Sequence, residues 1–226
     1  MNSREIILQR IRNELAKSEG DGPHGAAVAT AGPPPAHPVW PRQKPSAAAM
    51  AERFTEELKA VHGEVIRCKT MDDARGKLLA LMDQEKWPSI GAVERPLARE
   101  LAAGLPAERI AWATAEWESH HLAQLAAGLV VPEFLLADTG SALIACGTSQ
   151  ERLMCYLPPA CVVVGKVEQL VEHLPAAWDT IGPRCGDLSL RGEFVIVTGP
   201  SRTADIEKIL ILGVHGPKRL IVLLVG

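Results

Sequence analysis

From residue 46 to residue 226, short apolar runs alternate with stretches whose apolar residues recur every three or four positions. Six runs read as strands: EVIRC, PSIGAV, RIAWA, ACVVVG, EFVIVT and RLIVLLV. Between them, helical spacing covers Ala48 to Val61, the segment MDDARGKLLALMDQE, Arg95 to Ala103, Glu116 to Ala127, Glu168 to Trp178 and Thr203 to Leu212. Asp72 and Asp73 suit the first turn of the second helix, where carboxylates meet unpaired amides. FLLAD and SALIAC flank Thr139-Gly140. Gly140 can take a positive φ, so the two runs predict a hairpin. Strands without an inside–outside alternation, separated by helices, imply a mainly parallel sheet covered on both faces; the hairpin makes it mixed.

Ahead of this domain, residues 3 to 17 predict a short amphipathic helix with Ile7, Leu8, Ile11 and Leu15 on one face. That stripe has to be buried, either on its own domain or against a partner or second subunit, so a homo-oligomer is one expectation. The following stretch to Ser46 is rich in Pro and Gly and excludes regular ladders, which makes it an extended arm with Trp40 as an anchor. The expected organisation is residues 1–45 as helix plus arm, and 46–226 as one α/β domain.

Composition narrows the function. Net charge is −3, which offers no basic surplus for a phosphate backbone and speaks against nucleic acid. The N-terminus lacks a long apolar core, and the run Leu220 to Val225 is too short to span a bilayer, so a cytoplasmic protein without a membrane span is expected. Five Cys (68, 146, 155, 161 and 185) show no C-x-x-C spacing, so no thiolate-held cluster is expected in this chain. Cys146, Cys155 and Cys161 lie in apolar runs and read as core thiols. Glu116 and His120 stand four apart on a predicted helix, a spacing that can hold a metal. No second His completes it; His121, on the next helical position, points elsewhere, and no metal site is assigned.

Candidate chemistry gathers near the C-terminus. Gly199-Pro200 breaks the chain after EFVIVT, and Ser201 or Thr203 can cap the helix expected next. Its free amides, beyond a strand's carboxyl end, would suit an anion, with Arg202 adding a charge-assisted bond. Asp205 and Glu207 either face this cleft or complement the helix dipole. His215, in GVHGPKR, is either a cap at the helix's negative end or a pocket acid–base; Lys218 and Arg219 could reach an anion or solvate the loop.

The segments ADTGSALIACG, LPPACVVVGK and GPSRTADIEKILILGVHGPKRLIVLLV resemble the LUD domain, most closely the lactate-utilisation protein C (YkgG, DUF162) family. Asp138 stands where that family more often has Glu. The resemblance is strongest from Phe134 to the end. It implies a three-layer α/β/α sandwich similar to the NagB/RpiA/CoA-transferase-like fold. It also implies a role in oxidising L-lactate to pyruvate alongside iron–sulfur partner proteins, with no cofactor bound by this chain. By analogy with CoA transferases, Asp138 in the Asp138-Thr139-Gly140 turn would be a nucleophile or base; a turn held by the Asp itself is the other reading. The candidate site is therefore Asp138 and His215 as catalytic groups, with Thr139, Gly140, Gly199, Ser201, Arg202, Thr203 and Lys218 around a small anionic ligand. A stand-alone transferase- or ligase-like enzyme and a non-catalytic adaptor remain as alternatives.

Overall fold

Val162 and Val164 enter one hydrophobic core while Cys161 and Val163 enter another, and Ile221 and Leu223 alternate with Leu220, Val222 and Leu224 in the same way. This two-sided burial explains why both runs are apolar throughout. In the computed structural model, which describes residues 3–18, 45–184, 186, 193–204 and 210–226, these two runs are the strands β7 (Ala160–Lys166) and β12 (Arg219–Val225). They lie side by side in a six-stranded sheet. Its other members are β1 (Glu64–Cys68), β2 (Ile90–Ala92), β3 (Ile110–Trp112) and β4 (Gly128–Val130), in the order β1-β12-β7-β4-β2-β3. Every pairing in it is parallel.

Helices α3 (Met71–Gln84) and α4 (Pro96–Ala102) cover one face, contributing Ala74, Leu78, Ala98 and Leu101. Thr70 caps α3 by accepting the Asp73 amide at 3.2 Å, and Asp73 itself accepts from the Lys69 amide and from Lys77. Across the other face lie α2 (Ala47–Ala60), α5 (Ser119–Ala123) and α6 (Ser149–Met154), which supply Phe54, Leu58, Leu122 and Met154. Each fully buried side chain of this size stabilises the fold by roughly 1.5–3 kcal/mol.

A second, four-stranded sheet packs against that same core. It orders β8 (Leu170–Val171), β5 (Phe134–Leu136), β6 (Ser141–Cys146) and β9 (Glu193–Val197) as β8-β5-β6-β9. Leu135, Ala142 and Ile144 point into the shared core, whereas Leu136 and Leu143 meet α7 (Leu174–Ile181). The expected hairpin is present, with β5 antiparallel to β6 and Gly140 at φ 61°. The mixed pairing expected within one sheet is thus divided: the large sheet is all parallel and the small one is mixed.

Three local expectations are corrected. Thr203 to Leu212 is not a helix where it is described: β10 (Arg202–Ala204) and β11 (Leu210–Leu212) pair antiparallel, Thr203 opposite Ile211. Residues 205–209, including Asp205 and Glu207, lie outside the described residues. Of the helix expected over Glu116 to Ala127 only α5 forms, and β4 follows it. Gly128 opens that strand, paired with Gly91 and Cys161, and α6 packs so close that a Cβ there would meet the Met154 carbonyl oxygen at 2.6 Å. Glu168 to Trp178 divides into a 3-10 turn (Val167–Gln169), β8 and α7, the last with Pro175 in its first turn and capped by His173, whose Nδ1 accepts the Ala176 amide. The sequence pattern also passed over α6, capped by Thr148.

The chain divides into two units, Met1–Gln43 and Lys44–Gly226. In the first, α1 (Ser3–Ser18) is a helix on which Ile7, Leu8 and Ile11 are exposed. The Pro-rich arm and the Leu15 side chain lie outside the described residues. Among the described residues no helix is long and apolar enough to cross a membrane.

Candidate functional site

The predicted site residues converge in part, at the amino edge of the parallel sheet. Gly140 sits so close to α2 that a Cβ would fall 2.3 Å from the Leu58 nitrogen. Gly199, at φ 69°, approaches the Val61 carbonyl oxygen in the same way at 2.6 Å. A hydrogen bond of 2.7 Å between the Ser141 and Thr198 hydroxyls ties the two turns together. Ser141 also donates to Thr139 Oγ1 at 2.8 Å, and Thr139 donates to the Asp138 carboxylate at 3.3 Å. The Asp138 amide donates to the Glu172 carbonyl at 3.1 Å, so the partly buried Asp138 is held through its backbone by the segment after β8 and through its side chain by Thr139. Since α2 runs straight into β1, both turns lie at the start of that strand.

Ser201 links these turns to the His215 loop. Its amide donates to the Pro217 carbonyl at 2.8 Å, and its carbonyl accepts from the Gly213 amide at 2.8 Å. His215 and Lys218 are exposed and line a concavity of about 440 Å³ with Tyr156, just ahead of β7 and β12. Asp138 is not among the residues lining it.

The anion-binding helix mouth is overturned. With β10 in its place, there is no helix start at Ser201 to present amides, and the Ser201 amide is already taken by Pro217. Arg202 is exposed on the ribbon, and the Thr203 side chain lies outside the described residues. The expectation also placed β9 in the parallel sheet. It instead pairs antiparallel with β6 in the small sheet, so its end does not open on the parallel crevice.

Two further expectations change. Glu116 precedes α5 and shares no helical face with His120. His121 does not diverge from His120: their rings are 3.9 Å apart, because both belong to the first turn of a short helix where the His121 Nδ1 accepts the Glu118 amide. Among the described residues, no group of three or more His, Cys, Asp or Glu gathers as a metal site. Cys68, Cys146, Cys155 and Cys161 are buried free thiols, and burial pushes the Cys161 thiol up to about 12. A hydrogen bond with Cys146, and then burial, raises Cys155. Cys185 lies outside the described residues.

At the opposite, carboxyl edge lies a crevice that the sequence pattern did not single out. It occupies about 370 Å³ among Arg95, Leu97, Val131, Pro132, Glu133 and Lys166. These residues follow β2 and β4 or end β7. The chain leaves β2 for α4 on one face of the sheet and leaves β4 for β5 on the other, although β2 and β4 are neighbours. Such divergence opens the crevice in which α/β sheets bind ligands. Arg95 is fixed there by a buried partner. Its Nε and Nη2 donate to the two carboxylate oxygens of Glu151 at 2.6 and 2.7 Å, and Nη2 also donates to the Ala145 carbonyl. The Glu151 side chain is 3% exposed and also accepts the Gly147 amide. The hydrogen bonds to Glu151 hold the Arg95 guanidinium firmly charged. Lys166 pairs with Glu100 at 3.1 Å and Arg184 with Glu133 at 3.0 Å. The signals in the sequence were Arg95 soon after PSIGAV and Lys166 directly after ACVVVG; Glu133 follows β4, a strand that the pattern had not marked.

Comparison with known proteins agrees with this architecture. The LUD domain family model matches residues 51–225. Lactate utilization protein C of Bacillus pumilus is 26% identical over 246 residues, covering 100% of this chain and 97% of that protein. The protein of the same name from Bacillus subtilis is also 26% identical, over 100% of this chain and 97% of its own length. An uncharacterized protein, YkgG of Escherichia coli, is 26% identical over 76% of this chain and 71% of its own. The crystal structure of a DUF162 family protein from Deinococcus radiodurans covers 80% of this chain and 99% of its own, with a TM-score of 0.55 and 15% identity, which speaks to the fold alone. With the family model spanning nearly the whole α/β domain, the chain belongs to the LUD domain family.

Proposed function

We propose that this protein acts in lactate utilisation, as a subunit of a system that oxidises L-lactate to pyruvate. The observation that carries this reading is the end-to-end similarity to proteins named lactate utilization protein C. Oxidising lactate to pyruvate releases two electrons and two protons. In this reading the electrons pass to iron–sulfur clusters in partner proteins, and this chain binds a small anionic ligand or the partner surface. The spacing of its cysteines supports that division: none of the five stands in a C-x-x-C pair of the kind that holds a cluster.

The test is genetic and biochemical together. Deleting the gene in its native host should abolish growth on L-lactate, and the wild-type gene should restore it. The tagged chain, purified from lactate-grown cells, should bring down proteins with the visible absorption of iron–sulfur clusters. A deletion strain that oxidises L-lactate at the normal rate would refute the proposal.

A further inference from the structure

We infer that the carboxyl-edge crevice between β2 and β4 is the binding site for a short monocarboxylate of the 2-hydroxy or 2-oxo acid class. The inference deepens the lactate-utilisation reading and rests on it for the ligand's class; the site itself is argued from the geometry. The crevice lies where neighbouring parallel strands send the chain to opposite faces. Two cations stand at it in different states of preparation. Arg95 is pinned through Nε and Nη2, which leaves Nη1 without a protein partner among the described residues. A guanidinium held this way costs little further ordering when a carboxylate arrives. Among the described residues Lys166 pairs with Glu100 alone, in a pair whose side chains are 40% and 48% exposed. Such a pair is weak and screened, so the ammonium can turn to a ligand.

The rest of the lining chooses among anions. Leu97, Val131 and Pro132 supply apolar wall for a short carbon tail. Glu100 and Glu133 share the rim, so the local charge is nearly balanced. Any anion there meets Arg95 and Lys166 against Glu100 and Glu133, so charge by itself gives no premium to a doubly charged phosphate; the apolar wall favours an acid with a short carbon tail, and a 2-hydroxy acid could offer its hydroxyl to Glu133. Glu133 is steadied for this by Arg184. In this arrangement Arg95 and Lys166 take the carboxylate, and the apolar wall sets the tail length.

The full-length protein is titrated calorimetrically with L-lactate, pyruvate and inorganic phosphate. Lys166→Gln removes one cation from an exposed position, and Leu97→Trp fills the crevice; circular dichroism checks that both remain folded. The expected result is monocarboxylate binding by the wild type, tighter than phosphate, weakened about tenfold or more in K166Q, as loss of a charge-assisted hydrogen bond implies, and abolished in L97W. Unchanged affinity in two folded variants, or a preference for phosphate, overturns the inference. So does loss of binding in Lys218→Gln, at the amino edge, with K166Q unaffected. The two proposals fail separately. Monocarboxylate binding that depends on Lys166, in a protein whose deletion spares lactate oxidation, removes the lactate role and keeps the site. Lactate oxidation that requires the protein but ignores K166Q and L97W removes the site and keeps the role.

Discussion

Cys161 shows how far burial alone can set a residue's chemistry. Its side chain is fully buried against Leu220 and Gly128 across parallel pairings, and desolvation pushes its thiol up to about 12 from an ordinary value of 9.0. The folded state therefore keeps its proton over a range where the unfolded chain has lost it. Stability is whole below pH 9 and falls as pH rises toward 12, by up to about 1.4 kcal/mol per pH unit for this one thiol. Urea unfolding at pH 8, 9 and 10 should show the decline, and Cys161→Ala should make it shallower, with Cys68 and Cys155, also raised, keeping part of it. An unchanged slope in C161A would remove Cys161 as the cause. This role was legible locally, since a Cys inside ACVVVG has nowhere to go but the core. The Arg95–Glu151 pair was not. Its members are 56 positions apart, and neither position carries a local pattern that names the other.

The hairpin and the ribbon make the contrast at the level of elements. Gly140 was readable as the turn residue from Thr-Gly between two apolar runs, and it takes φ 61°. What the pattern did not carry is its second duty, the approach to α2. Gly140→Ala adds left-handed strain and puts a Cβ 2.3 Å from the Leu58 nitrogen and 2.6 Å from its Cα. Backbone on both sides must then move, and we expect a loss of at least about 2 kcal/mol in urea unfolding. A loss below half that would mean the turn can swing free of α2. The ribbon was misread because Ile206, Ile209 and Leu210 have helical spacing, while a short apolar run such as Leu210 to Leu212 suits a strand equally well. Pairing with Arg202 to Ala204 decided it, and pairing is a property of two segments rather than of one.

The whole molecule adds what no element carries, namely which edge of which sheet a loop occupies. The order β1-β12-β7-β4-β2-β3 puts Gly199, Ser201 and His215 at the amino edge and gathers Arg95, Glu133 and Lys166 at the carboxyl edge. The sequence reading used the right rule about strand ends on a strand, β9, that belongs to the other sheet. The division at residues 43 and 44 carries its own expectation. Expressed alone, residues 44–226 should unfold in urea as one cooperative transition by circular dichroism and by tryptophan fluorescence. Transitions that differ between the two probes would contradict it.

By itself, the order of apolar runs and helical stripes determined an α/β fold, its hairpin and its buried thiols, because burial period and turn chemistry are local and survive in the letters; the family was carried separately, by the resemblance of the segments from Phe134 onward. Only the tertiary structure decided the partition into two sheets, the ribbon in place of the last helix, and the crevice. Strand order, and the pairing of residues tens of positions apart, depend on where separate segments meet in space, and nothing in either segment states its neighbour.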